Sequence, residues 1–299
     1  MSDRENDYAR LGTDAEGEAS DFVRGAGAGA DASGSAGRSA IGPATNAADK
    51  QSIGRSLARK AGGYAFAVIF IVAVWWVSAV ALHSPALPTP ASALSVLAAN
   101  IPVLLPDFRV SAYRVVASVL IGTILAVPVA LLCARSRALD GLFAPVLYLL
   151  YPVPKVVFLP VLMVFLGLAD APKIALISIT VFFQVLVAVR DAVRAISPEH
   201  LDAIRSLGGS SWDELRHVVI PSTVPAVFTS LRISVGTAVA VLFFAEAIAG
   251  STGLGYFIMQ SWALVNYARM FAGIIAMAAL GVILYAALDL VERRVTRWR

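Results

Sequence analysis

From about Gly63 onward the chain alternates long apolar runs with short polar breaks that carry arginine. The first run, about Gly63 to Leu82, follows Arg55, Arg59 and Lys60. About 20 apolar residues span the hydrocarbon of a bilayer, so this run predicts a first crossing. Pro85, Pro88 and Pro90 then mark an extended linker. Leu94, Leu97, Ile101 and Leu104 recur at helical spacing, which predicts a half-polar helix over 91–104 lying along the outer interface. The second crossing is expected from about Ala112 to Cys133, ending at Arg135 and Arg137. Residues 141–168 form a third run, broken by Pro145, Pro152, Pro154 and Pro160. Prolines free backbone carbonyls inside a membrane, which is tolerated where protein or a water-filled cavity covers them.

A fourth run, Pro172 to Val189, returns to Arg190 and Arg194, and a fifth covers about Ser222 to Ala249. The sixth, Phe271 to Val291, ends at Arg293, Arg294, Arg297 and Arg299. Alternate breaks hold most of the positive charge, while the others hold Arg109, Lys173 and Arg269 at most. Cytoplasmic loops are the positively charged ones. The pattern therefore predicts an all-α integral membrane protein with six transmembrane helices and both termini cytoplasmic.

Residues 1–60 are rich in Gly, Ala, Ser, Asp and Glu and poor in large apolar side chains. Such a stretch buries too little to offset its ordering entropy, which predicts a disordered cytoplasmic tail. The rest divides into 61–107 (first helix and outer interfacial segment), 108–292 (the main transmembrane domain) and a basic tail, 293–299. Composition agrees with a lipid environment: 58% of residues are hydrophobic and 15% charged, against roughly 25% charged in a soluble domain. The net charge of +4 resides in residues flanking the spans and does not point to nucleic acid.

Cys133, the only cysteine, excludes an internal disulfide, and His83, His200 and His217 show no metal-ligand spacing. Gly250-Ser-Thr-Gly-Leu-Gly255 lacks the Lys-Ser/Thr continuation of a phosphate loop. It reads as a sharp outer turn leading into a partly re-entrant segment. Nothing resembles a nucleophile–base pair outside the 195–221 loop, so no catalytic residue, cofactor or metal is expected. A membrane enzyme would need a polar cluster that the pattern lacks.

The polar loop of about 195–221, between the fourth and fifth runs, is too long for a plain connector. Ser197 and Pro198 suit a helix start, and Glu199 and Asp202 favour its N-terminal turn. Leu201, Ile204 and Leu207 make a narrow apolar stripe, and Gly208-Gly209 ends the helix. Ser210 or Ser211 then caps a second short helix that carries Trp212, Leu215 and Val218. Two short helices meeting at a glycine corner are the expected form.

The segment Asp202-Ala203-Ile204, three residues, Gly208, nine residues, Val218, one residue, Ile220-Pro221 resembles the EAA signature of permease subunits of binding-protein-dependent ABC importers. Short segments resemble the branch importing nitrate, sulfonates, taurine and related compounds: Leu159-Pro160, Phe165-Leu166-Gly167, Leu231-Arg232, Ala245-Glu246 and Gly253-Leu254-Gly255-Tyr256. Together they cover about 108–292. The resemblance implies a type I transmembrane domain in the bacterial inner membrane, paired as a homodimer with a separate ABC ATPase subunit and a periplasmic binding protein. It implies that Asp202, Ala203, Ile204, Leu207, Gly208, Ser211, Trp212 and Pro221 dock the ATPase, with Gly208 letting two backbones approach closely. The solute would be a small anion or an organosulfur or nitrogen compound.

Four of the polar residues within the runs stand out. Glu246 either faces a cavity or gate or reaches interfacial water. Lys155 either lines the path of an anionic solute or snorkels to the headgroups. Arg232 and Gln184 read as packing pairs between helices. The alternative function is a secondary transporter or channel working without ATP, which would need more ionisable residues at mid-membrane.

Overall fold

A computed structural model describes residues 45–297. Most of the expected tail, 1–60, lies outside them. Ten α-helices joined by short turns make up the described chain, which contains no strand. Helix α1 covers Thr45–Leu82. Beyond Phe66 it is apolar and largely exposed. Trp75 fastens it: the indole N–H donates to the Pro88 carbonyl at 3.0 Å and the ring stacks on Phe271, centroids 5.4 Å apart.

Helix α2 runs unbroken through Pro90–Arg135. This corrects the expectation of a separate interfacial helix over 91–104. Thr89 caps it by accepting from the Ser92 N–H, and Pro90 sits where a missing N–H has no partner to lose. Pro102 and Pro106 interrupt the ladder, but they stand four apart on one exposed face. The carbonyls they strand are therefore open to the surroundings, and the helix continues past them. Farther along, Ser118, Gly122, Ala126, Ala130 and Cys133 form a buried stripe of small residues. Small stripes let membrane helices approach closely. A Cβ on Gly122 would lie 2.7 Å from the Ser178 carbonyl oxygen, so α2 and α5 (Ala171–Arg194) approach backbone to backbone there.

The third run is broken as its prolines require. Helix α3 (Arg137–Leu150) gives way to a 3-10 turn over Lys155–Phe158 and then α4 (Leu159–Leu166). The two halves meet at 91°. Helices α6 (Pro198–Ser206) and α7 (Ser211–Glu214) form the polar corner. A π turn over Leu215–Val219 joins α7 to α8 (Ile220–Ala249). A π turn shifts the hydrogen-bond register by one residue, and here it immediately precedes Pro221, which has no N–H to give. Helices α9 (Leu254–Ala263) and α10 (Tyr267–Val295) complete the chain.

Helices α2, α5 and α10 and the continuous segment Ser211–Ala249 are each long and apolar enough to cross a membrane. The bent pair α3–α4 makes a fifth crossing if taken as one span. The expected first span corresponds to the shorter apolar stretch Phe66–Leu82 of α1. Helix α5 lies at the centre of the bundle. Its Ile177, Val181, Val185, Leu186 and Val189 are fully buried among Val115 and Ala126 of α2 and Ala238 and Leu242 of α8.

Candidate functional site

Three places hold the polar groups that sequence reading singled out. The first is the corner between α6 and α7. Ser197 adopts the extended geometry of an N-cap but makes no side-chain bond, whereas Ser210 and Asp213 close a full capping box on α7. The Asp213 carboxylate accepts from the Ser210 hydroxyl and from the Ser210 backbone N–H at 2.8 Å, which holds it below the usual carboxylate range. Gly208 has φ +80°, the left-handed region that glycine enters freely. The close approach belongs to its neighbour: a Cβ on Gly209 would meet Ile204 at 2.5 Å, while one on Gly208 would meet nothing within 4 Å. Within the chain, Gly208 thus serves by its conformation and Gly209 by its space.

The apolar stripe divides. Leu201 and Ile204 are half-buried, but Leu207, at the helix end, turns outward and is 85% exposed. Trp212 is 64% exposed beside it in the chain order of the corner. Asp202, Ala203 and Ser211 are also exposed, and Pro221 is half-buried at the start of α8. Asp202 pairs with Arg205 at 3.1 Å. Sequence reading missed the residue that fixes the corner. Buried Glu214 accepts from Arg205 Nε at 2.7 Å and from Arg135, at the end of α2, at 3.2 Å. Arg135 also donates to the Ser211 carbonyl at 3.1 Å. The corner is therefore a rigid projection presenting two large apolar side chains.

The second place is the opposite end of α8. Glu246 is fully buried and all its oxygens are engaged. It accepts from Arg114 Nη1 at 2.6 Å, from the Ser111 hydroxyl at 2.8 and 2.9 Å, and from the Gly255 N–H at 2.8 Å. Arg114, 2% exposed, also donates to Asp170, to the Thr252 carbonyl and to the Thr252 hydroxyl. Asp107 accepts from the Gly253 N–H at 2.7 Å. Gly253 has φ +106°, and a Cβ there would lie 2.3 Å from the Glu246 carboxylate. Arg114 went unnoticed because it is a single charge inside an apolar run. Its 132-residue separation from Glu246 carries no sequence signal. Glu246 lines none of the cavities described here.

The third place lies midway along α5 and α8. A cavity of about 490 Å³ is lined by the Tyr151–Val156 bend and by Thr180, Phe183, Gln184, Thr237 and Phe244. The Lys155 ammonium donates to the Leu150 carbonyl at 2.8 Å and to the Tyr151 carbonyl. Both lie at the end of α3, where the Leu150 carbonyl also accepts from the Val153 N–H at 3.2 Å. The ammonium also lies 5.4 and 5.3 Å from the Tyr151 and Phe183 ring centroids. Lys155 and Gln184 thus come together on one cavity, whereas Glu246 does not join them. Arg232 pairs instead with Asp289 and Glu292 of α10.

Residues 118–297 match the family described as binding-protein-dependent transport system inner membrane components. The taurine transport system permease protein of Escherichia coli K12 is 28% identical over 237 residues, covering 76% of this chain and 86% of its own. The putative aliphatic sulfonates transport permease protein of Bacillus subtilis 168 is 27% identical over 264 residues, covering 86% and 95%. Among solved structures, a chain of the MetNI methionine ABC transporter in an inward-facing conformation aligns with a TM-score of 0.57 at 17% identity, covering 66% of this chain and 98% of that one. That likeness concerns the fold. The family match takes in the glycine corner, the cavity and Glu246 and spans more than half of the sequence, so the chain belongs to the binding-protein-dependent transport system inner membrane component family, the permeases of ABC importers.

Proposed function

We propose that this permease forms the solute path of an ATP-driven importer and is driven by a separate ATPase docked on the α6–α7 corner. The observation that carries the reading is the outward display of Leu207 and Trp212 on a projection fixed by the Ser210–Asp213 box and by Glu214. Two exposed large apolar side chains on a rigid, otherwise polar projection favour burial by a partner. Asp202, Ala203, Ile204, Gly208, Ser211 and Pro221 shape that surface. The corner end also holds Arg135, Arg137, Arg190, Arg194 and, in the last turn of α10, Arg293 and Arg294, which supports a cytoplasmic location for it in a bacterial inner membrane.

A periplasmic binding protein delivers solute to the other side in this reading. Relatives named for taurine and aliphatic sulfonates favour a small organic anion. A second copy of the chain completes the passage, because the 490 Å³ cavity is open on one side of a single bundle and closed twofold pairing is the commonest oligomer. Lys155 lines the path, and Glu246 acts in gating by holding α8 to α2 rather than by touching solute.

Copurification tests the reading. The tagged wild-type chain should bring an ABC-type ATPase in near-equal amount from native membranes. Leu207→Arg with Trp212→Ala should insert normally yet lose it, since truncating a central aromatic anchor costs about 2 kcal/mol or more. Equal ATPase recovery with that double variant would sink the docking assignment.

A further inference from the structure

A second cavity, of about 450 Å³, lies behind the α6–α7 corner. Ala134 and Arg135 line it from the end of α2, Val193 and Ile196 from the end of α5, and Val219 from the π turn before α8. Three membrane-spanning segments thus contribute the same end to its wall. Unlike the mid-bundle cavity, this one carries three charged side chains, Arg135, Arg205 and Glu214. Both Glu214 oxygens are taken, Oε1 by Arg205 and Oε2 by Arg135. One carboxylate therefore offsets two guanidiniums. Asp202 also reaches Arg205, but both side chains are more than half exposed, and water screens such a pair to about 0–1 kcal/mol. Asp213 is committed to its capping box. The wall keeps a surplus of positive charge.

A guanidinium has five N–H donors. Toward the described residues, Arg135 spends only Nη2, on Glu214 and on the Ser211 carbonyl, which leaves Nε and Nη1. Arg205 spends Nε and Nη1, which leaves Nη2. The two groups sit on the two oxygens of one carboxylate, so a single ligand can bridge them. Their side chains are 32% and 57% exposed, open to such a ligand. Much of the remaining wall is apolar: Ala134, Val193, Ile196 and Val219. A free inorganic ion gains nothing from those side chains, whereas a lipid phosphate brings apolar glycerol and acyl carbons with it. Basic pockets between spanning helices on the cytoplasmic side suit anionic headgroups.

We infer that this cavity binds a phosphate group, bridged by Arg135 and Arg205 and supplied by an anionic phospholipid of the inner leaflet. Bound there, the lipid ties α6 to the ends of α2 and α5 and makes the stiffness of the corner depend on membrane composition. The inference rests on the cytoplasmic placement of the corner under the proposed function but not on ATPase docking.

The test is hydrogen exchange of the α6 and α7 amides in the full chain, with its copurifying subunits, in phosphatidylcholine nanodiscs of rising phosphatidylglycerol content. A parallel series adds inorganic phosphate to pure phosphatidylcholine discs. Exchange should slow as phosphatidylglycerol rises and stay unchanged with inorganic phosphate. Arg135→Gln should raise the phosphatidylglycerol content needed for half the effect by about tenfold or more, as for loss of a charged hydrogen bond. Because Arg135 also holds Glu214, a second pair of variants leaves the corner's own bonds in place. Ile196→Glu puts a carboxylate into the half-buried wall and should abolish the response, while Ile196→Gln, of the same shape, should keep it. The inference is overturned if phosphatidylglycerol leaves wild-type exchange unchanged, if inorganic phosphate reproduces its effect, or if the two Ile196 variants respond alike. Recovery of the ATPase, on which the docking proposal stands, does not enter this readout, so the two fail separately.

Discussion

The Arg114–Glu246 cluster and the Lys155 cavity pose the same physical problem and answer it in opposite ways. Each places ionisable groups among apolar helices. At the far end of α8, carboxylate and guanidinium meet at 2.6 Å, and Ser111, Asp170, Thr252 and Gly255 take up further bonds. Nothing is left for a ligand. In the cavity, Lys155 has no carboxylate and Gln184 Oε1 has no donor. The difference is one of saturation: the first cluster finds its partners within the chain, and the second keeps polar atoms without a charged or donor partner.

The sharpest break in this comparison comes from Glu246→Ala. It leaves buried Arg114 without one of its two carboxylates, and removing one member of a buried pair costs about 3–5 kcal/mol. Thermal unfolding of the detergent-purified protein should shift down strongly. Wild-type stability in this variant would mean that Asp170 alone satisfies Arg114 and that the cluster is not the fastener described. Gly253→Ala should follow, losing about 1–3 kcal/mol, because alanine must adopt φ +106° and crowd the same carboxylate. Lys155→Gln should be milder still, about 1 kcal/mol in the same unfolding assay, since it gives up two helix-end hydrogen bonds and relieves an unpaired charge. A larger loss there than at Glu246 would reverse the assignment of the two sites.

The smallest effect concerns a third, solvent-facing carboxylate. Hydrogen bonds from Ser210 hold the Asp213 pKa below its ordinary value. Its contribution is therefore present above the unfolded-state pKa and lost as pH falls through the lower folded value. Hydrogen exchange at the Ser210 amide, compared pH by pH with Asp213→Asn, should show faster exchange in the variant near neutrality and no difference in strong acid. Equal exchange at neutrality would show that the capping box adds nothing to the corner.

The sequence disclosed what is local. Pro198, Gly208 and Ser210 mark the corner through start, stop and cap chemistry, and Pro152 and Pro154 mark the bend that brings Lys155 to the end of α3. What depends on packing stayed hidden. The 91–104 helix was expected to be separate from the second crossing, because a linear reading does not reveal that Pro102 and Pro106 both face outward and leave one helix intact. Glu246 was visible as an anomaly, but its partners Ser111 and Arg114 lie in another run, and only the crossing of α2 and α8 brings them together. Glu214 carries no local signal in the sequence, yet it is the buried anchor of the corner.

The π turn has one further consequence. Because it bridges α7 and α8 without a gap, Ser211–Ala249 is a single 39-residue rod, about 58 Å long at 1.5 Å per residue. Trp212 stands at one end and Glu246 near the other, so a torque applied at the first arrives at the second. There Arg114 ties the rod to α2 and to the start of α5. Those three elements are thereby tied to one another at that end. The α3–α4 wing is held differently: α3 buries a single residue, Leu147, and is fastened to α5 by the pairs of Asp140 with Arg190 and Arg194.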